Sequence, residues 1–199
     1  MLSKAQSEKN FRLESDFYTA ESFSLNKQYS GEEIIDFSQY GTSEELNEEG
    51  VGFPILRLNE FDSLFIGKPA KFCSKITKET FDDLLLKKND VLICRTNGNP
   101  KLVGKSAIVT ESTNFAYASY LFKIRPKTEI INSATLVVFL NSKYGRLEIE
   151  KHSMASNQVN FSPAKFREIR IPNIEKQIQE KIEHLVFSAY DLLKAHHAH

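Results

Sequence analysis

The sequence predicts an α+β fold, a β-rich body with short helices plus one long C-terminal helix. Three observations lead there. Short apolar stretches bounded by polar turns, among them Val91-Leu92-Ile93-Cys94 after Lys88-Asn89-Asp90, have the length and flanks of strands. Helix-start signals of a capping Ser or Thr stand before short helical stretches, the strongest being Ser162-Pro163. Last, Ile178, Ile182, Leu185, Ala189 and Leu192 recur at alternating spacings of four and three, the pattern of a seam that packs on another long helix.

The elements follow in order. Residues 1–50 are acidic and polar, broken at Ser30-Gly31, Gly41-Thr42 and Gly50, and are expected to be a loosely organised lead-in. Residues 51–172 form the body. Phe53 to Asn59 reads as a strand with Arg57 and Asn59 on one face, since side chains alternate. Thr77 caps a short helix through Leu86. Val91 to Arg95 is a buried strand that surfaces at Arg95, and the loop Thr96-Asn97-Gly98-Asn99-Pro100-Lys101 follows it. Gly104–Val109 and Phe115–Ile124 are two further strands, and Ser133 caps a helix through Leu140 with a break near Ser142–Gly145. Glu168 to Pro172 is extended. Asn173 then caps the spacer helix assigned to 173–195, with Glu175 in its first turn; residues 174–195 would extend about 33 Å at 1.5 Å per residue, and residues 196–199 are a tail.

Composition narrows the class. The chain has 199 residues, 41% of them hydrophobic, enough for one domain with a core. Its two cysteines, Cys73 and Cys94, sit in apolar contexts and read as buried free thiols. No apolar run reaches membrane-spanning length and Met1 starts no signal peptide, so a cytoplasmic protein with no membrane partner is expected. The zero net charge hides an asymmetry: residues 1–50 hold 4 Lys/Arg against 11 Asp/Glu, whereas residues 51–151 hold 16 against 10. The middle segment is the one suited to a polyanion.

Four stretches in order carry a resemblance: Gly52-Phe53-Pro54-Ile55-Leu56-Arg57-Leu58-Asn59; Leu86-Lys87-Lys88-Asn89-Asp90 through Arg95 with Gly98 and Gly104 behind it; Asn157-Gln158-Val159-Asn160-Phe161-Ser162; and Ile171-Pro172 through Gln177. Together they resemble the target-recognition domain of specificity subunits from type I restriction–modification systems. Arg12-Leu13-Glu14-Ser15-Asp16-Phe17-Tyr18 is similar to the lead-in that often precedes such domains. The resemblance implies a β-rich target-recognition domain and a coiled-coil spacer helix. A typical member has two of each; this chain shows one of each and looks like a half subunit. The implied partners are double-stranded DNA, a second specificity chain (a homodimer in the simplest case), a modification methyltransferase subunit that uses S-adenosylmethionine, and a restriction subunit. No cofactor is expected in this chain itself.

Reading DNA requires cations on phosphates and paired donors and acceptors at base edges. Arg95, Thr96, Asn97, Asn99 and Lys101 share one Gly/Pro-shaped loop, and Arg and Asn are the residues that pair bidentately with guanine and adenine. Arg57 and Asn59 on the opening strand, Lys105 after the loop, Tyr117 and Ser119 on a further strand, and Lys151, Ser153 and Asn157 before a turn complete the candidate DNA-binding set. Ile178, Ile182, Leu185, Ala189 and Leu192 are the candidate helix-pairing set. Catalysis finds no foothold: there is no P-loop, no Gly-x-Gly-x-x-Gly, and no spacing of Cys and His suited to a metal. The alternatives are a small metal-dependent nuclease or other nucleic-acid enzyme, using carboxylate–Lys strings such as Glu148-Ile149-Glu150-Lys151, and a protein-interaction adaptor of the same fold.

Overall fold

Val91–Cys94 (β7) has four consecutive side chains with no solvent exposure, and the fold is arranged around it. The computed structural model describes residues 28–153 and 159–197. Strands Gln28–Ser30 (β1), Ile35–Tyr40 (β2), Phe53–Leu56 (β3), Phe61–Asp62 (β4), Phe65–Ile66 (β5) and Lys71–Cys73 (β6) precede β7. Strands Ser106–Ile108 (β8), Ala116–Tyr117 (β9), Leu121–Pro126 (β10) and Arg170–Pro172 (β11) follow it. The helices are Gly31–Ile34 (α1), Lys78–Leu84 (α2), Ser133–Asn141 (α3), Lys143–Ser153 (α4), Pro163–Glu168 (α5) and Lys176–His197 (α6).

Six strands form the central sheet in the order β2-β10-β7-β8-β5-β4, antiparallel except for the β5–β8 pair. Alternation of side chains along β7 splits the core in two. Val91 and Ile93 join Phe122, Ile124 and Ile108 against α3, α4, α5 and α6. Leu92 and Cys94 join Leu121, Ala107 and Val109 against α2 and a small sheet of order β6-β3-β9. β1 and β11 form a separate antiparallel pair.

Several expectations hold. Thr77 caps α2 through the Thr80 amide, and Ser162 caps α5 with Pro163 at its first position. Both cysteines are free and buried. Other expectations need correction. Residues 28–49 are no loose lead-in: β2 is an edge strand of the central sheet, Ser30 and Glu33 form a reciprocal cap on α1, and Ile34 and Ile35 enter the core. The body therefore takes in residues ahead of position 51. The acidic composition hid this because the charges sit on the exposed positions while the apolar pair is buried. The first body strand ends at Leu56, and Arg57 to Glu60 turn into a 3-10 helix. The expected single strand Phe115–Ile124 is two, β9 and β10, because the chain turns at Ala118–Tyr120 with the Leu121 amide bonded to the Ala118 carbonyl. Asn132, not Ser133, caps α3; the Ser133 hydroxyl instead donates to the Asn89 carbonyl. The Arg12–Tyr18 motif and residues 198–199 lie outside the described residues.

The C-terminal helix departs most. It begins at Lys176, and the Glu175 carbonyl, not Asn173, receives its first intrahelical bonds. It does not protrude but lies along the body. Ile182, Val186, Phe187, Tyr190 and Leu193 pack on the helical-side core. Tyr190 and Lys194 both donate to Glu111, and the rings of Phe65 and Tyr190 lie 5.1 Å apart. Of the expected seam, Ile178, Leu185 and Leu192 are exposed at 47%, 67% and 73%, and Ala189 is exposed as well. Ile182 alone turns to the body. A single helix thus carries two apolar stripes, one used within the domain and one open.

Gln179 fixes this helix. It is buried, its Oε1 accepts the Asn132 amide at 2.9 Å, and its Nε2 donates to the carbonyls of Ile130 and Ile174 at 2.9 and 2.8 Å. Gln179→Leu keeps the volume but strands a buried donor and buried acceptors. It should cost about 2–3 kcal/mol, read as a lower urea midpoint with unchanged m-value. An unchanged midpoint would show that the bonds to Asn132 and Ile130 do not hold the helix down.

Candidate nucleic-acid interface

A sheet covered on both faces can offer a ligand only its ends and its connecting loops. At the C-terminal end of β7 the chain leaves the core at Arg95. The Arg95 amide donates to the Tyr120 carbonyl and its carbonyl accepts from the Phe161 amide, each at 2.8 Å. Arg95 is thus clamped between the β9–β10 turn and the segment leading into α5. Its guanidinium lies over the Tyr40 ring, 5.2 Å from the centroid, and its Nε is buried without a hydrogen-bond partner among the described residues.

The loop between β7 and β8 is held by its own polar groups. The Asn97 Oδ1 accepts the Asn99 amide at 2.9 Å, and the Asn99 Oδ1 accepts the Lys101 amide at 3.1 Å. Pro100–Leu102 makes a 3-10 turn, and Gly104 returns the chain to the sheet by donating to the Cys94 carbonyl at 2.7 Å. Gly104 has φ +80°, and a Cβ there would lie 2.6 Å from Ile149 Cγ2, so α4 leaves no room for another residue. Arg146 of α4 supports the loop by donating to the Lys101 carbonyl at 3.0 Å. Asn97 and Asn99 each spend oxygen capacity on the loop, while their Nδ2 groups have no bond to another described residue.

The expected site residues divide. Arg95, Thr96, Asn97, Asn99, Lys101 and Lys105 come together on this loop, and Ser119 joins them from the β9–β10 turn, where its amide donates to the Thr42 carbonyl at 2.7 Å. Arg57 is near the same corner: burial raises the Tyr120 phenol pKa while the Arg57 charge opposes it. Arg57 is not free, since Glu60 accepts from both its amide and its Nε. Asn59 is exposed on the 3-10 turn, off any strand face.

Two residues require correction, and a third is engaged by a neighbour. Tyr117 has no exposed surface; its hydroxyl donates to the Gln39 carbonyl at 3.1 Å, burial drives its pKa far up, and it serves the core. Ser153 is buried at the end of α4. Lys151 is held by Glu148 at 2.9 Å, a pair one helical turn apart. Asn157 lies outside the described residues. Sequence reasoning missed Tyr40, which sits in the stretch read as loose, and Arg146, whose place beneath the loop depends on helix packing. Buried Cys94, with its thiol pushed up to about 11 by burial, is no nucleophile. No group of three or more His, Cys, Asp or Glu side chains among the described residues is placed to hold a metal.

The comparisons with known proteins give this surface its context. The profile of the type I restriction modification DNA specificity domain matches residues 25–197. The chain belongs to that family. By that description the chain is a DNA specificity domain, a DNA-recognition module. Its fold is similar to the HsdS subunit from Thermoanaerobacter tengcongensis, with TM-score 0.55 and 19% identity over 89% of this chain and 40% of that one. The type I S subunit from M. genitalium gives TM-score 0.53 and 18% identity over 85% of this chain and 40% of that one. The type IIG restriction endonuclease BpuSI gives TM-score 0.58 and 10% identity over 81% of this chain and 26% of that one. The chain therefore spans about two fifths of the length of the solved specificity subunits it resembles. No curated protein matches it. Among the described residues no helix is long and apolar enough to cross a membrane.

The specificity domain's α4 carries a pH-sensitive group. Burial holds the His152 imidazole below its ordinary pKa of 6.5, with Glu148 and Glu168 at 3.9 and 3.7 Å opposing that shift in part. The unfolded chain takes up this proton more readily than the folded one. Stability is therefore full above pH 6.5 and is lost as pH falls through the depressed folded value. Melting temperatures from neutral to mildly acidic pH should fall less steeply for His152→Asn than for the wild type; parallel curves would place the acid sensitivity elsewhere.

Proposed function

We propose that the chain reads one half of a split duplex DNA target and brings a modification methyltransferase, and with it a restriction subunit, to that site. The observation that carries the reading is the family match over nearly the whole described chain, combined with the clustering of Arg95, Asn97, Asn99, Lys101 and Lys105 at one open end of the sheet. In this reading Arg95 reaches a base edge, Lys101 and Lys105 hold phosphates, and the chain needs no cofactor of its own. S-adenosylmethionine belongs to the methyltransferase. The solved relatives named for type I systems support such an assembly by fold. The site of action would then be the cytoplasm, where the DNA lies.

Cells carrying the chain and the methyltransferase subunit of its system provide the test. Sequencing of their methylated DNA should reveal a two-part motif that disappears when the chain is deleted. A contiguous motif would count against the half-site reading, and chain-independent methylation would remove the proposed function altogether.

The open stripe of α6 supplies the spacing in this proposal. Ile178, Leu185 and Leu192 repeat every seven residues, the period of a two-helix seam. A second specificity chain covers it, a further copy of this one in the simplest case. A closed two-fold pair makes the two target halves inverted repeats. Leu185→Asp should abolish self-association in sedimentation equilibrium and leave the circular dichroism of the body unchanged, because Leu185 is mostly exposed. Val186→Asp, one residue on and buried, should unfold the body instead. A wild-type chain that stays monomeric at high micromolar concentration would sink the homodimer and leave a different second chain as the partner.

A further inference from the structure

We infer that Tyr40 is a positioning residue for base reading: its ring face holds the Arg95 guanidinium in place at the end of the sheet, with the free donors toward the DNA. The inference rests on the proposal that this end of the sheet faces DNA. The observation behind it is a contrast among arginines. Arg57 donates to Glu60, Arg125 to Asp90, Arg146 to the Lys101 carbonyl, and Arg167 to Glu32 and Ser38; Arg170, exposed on β11, makes no side-chain bond among the described residues and lies in solvent. Arg95 has no such oxygen among the described residues. Its side chain meets an aromatic face instead, with Nε buried and unpartnered.

That arrangement suits a reader. An arginine neutralised by a carboxylate has spent the donors that pair with guanine N7 and O6, whereas a cation–π contact with a ring holds the charge in place and leaves the donors unspent. Both partners of the contact are themselves fixed. Arg95 is clamped through its amide and carbonyl. Tyr40 ends β2, in register with Phe122, and the next residues are locked to the β9–β10 turn by bonds from the Gly41 amide to the Leu121 carbonyl and from the Thr42 amide to the Tyr117 carbonyl. A Cβ on Gly41 would lie 2.2 Å from the Tyr117 carbonyl oxygen, so the backbones meet there as closely as they can. Tyr40 is nonetheless 45% exposed, more than a ring with a purely packing role requires.

The test is a selection from duplex DNA with a randomised centre, run with the methyltransferase subunit present, on the wild type and on Arg95→Ala, Tyr40→Leu, Tyr40→Phe and Lys101→Ala. Tyr40→Leu should erase preference at the same base positions as Arg95→Ala, by about tenfold or more. Tyr40→Phe should restore it, and the Tyr40→Leu/Arg95→Ala double variant should be no worse than Arg95→Ala alone. Lys101→Ala should weaken all sequences alike. A proton NMR arm reads the contact without DNA: the Arg95 Nε–H signal, assigned by its absence in Arg95→Ala, should carry a ring-current shift that Tyr40→Leu removes and Tyr40→Phe keeps. A wild-type motif untouched by Tyr40→Leu, or lost at other positions than for Arg95→Ala, overturns the positioning role alone. A wild type that enriches no motif overturns the DNA-reading proposal and this role with it.

Discussion

Everything in this domain depends on β7 being buried on both faces. A strand of four residues without exposed surface has no spare side chain for a ligand, so it acts as the frame. Each large apolar side chain it buries contributes about 1.5–3 kcal/mol relative to exposure, and its neighbours on both sides are bound by ladder hydrogen bonds. The two ends then differ in kind. At the start, Asp90 is fully buried and takes Arg125 from β10 at 2.8 Å, which closes that end. At the finish, Arg95 emerges with no acid to meet it among the described residues. The polarity of the domain, one end sealed by an ion pair and one left with an unspent cation, follows from which neighbour each terminal charge finds.

What the sequence shows well is local chemistry. The run Val91 to Cys94 is apolar without alternation and bounded by a polar turn, which is the pattern of a strand covered on both sides. Thr77 and Ser162 sit directly before helices because a side-chain oxygen three residues upstream of an amide is a short-range device that needs no tertiary partner. The larger errors share one cause, a partner far away in sequence. Residues 28–49 look loose because Ile34 and Ile35 are only two apolar residues amid acids; their role appears once β10 pairs with β2. Tyr117 on a polar-flanked strand passes for a surface residue until Gln39 meets it from β2.

The same division runs through the candidate site. The loop from Arg95 to Lys105 was legible as a unit because its Asn, Gly and Pro residues shape it by themselves, and the bonds from Asn97 and Asn99 to the following amides are those such residues make in turns. Tyr40 was not legible, for it reaches Arg95 only through the register of three strands. Arg57 illustrates the intermediate case: the residue was visible, but its engagement by Glu60 followed from a helical turn where a strand was expected.

The terminal helix shows how far a heptad can mislead. At 100° per residue the exposed line Ile178, Leu185, Leu192 and the packed line Gln179, Val186, Leu193 lie about 100° apart round the helix. They are adjacent faces, not opposite ones, and Ile182 falls on the boundary between them. A periodicity count assigns Ile182 to the nearer seam and has no means of seeing the second. In the proposed pair, the partner helix would therefore lie in the angle between α6 and the body and not at the far side of a free rod. Ile182 would be shared between the two contacts. Self-packing and pairing then reinforce each other, since the Gln179 bonds that seat the helix also set the rotation at which its open stripe faces outward.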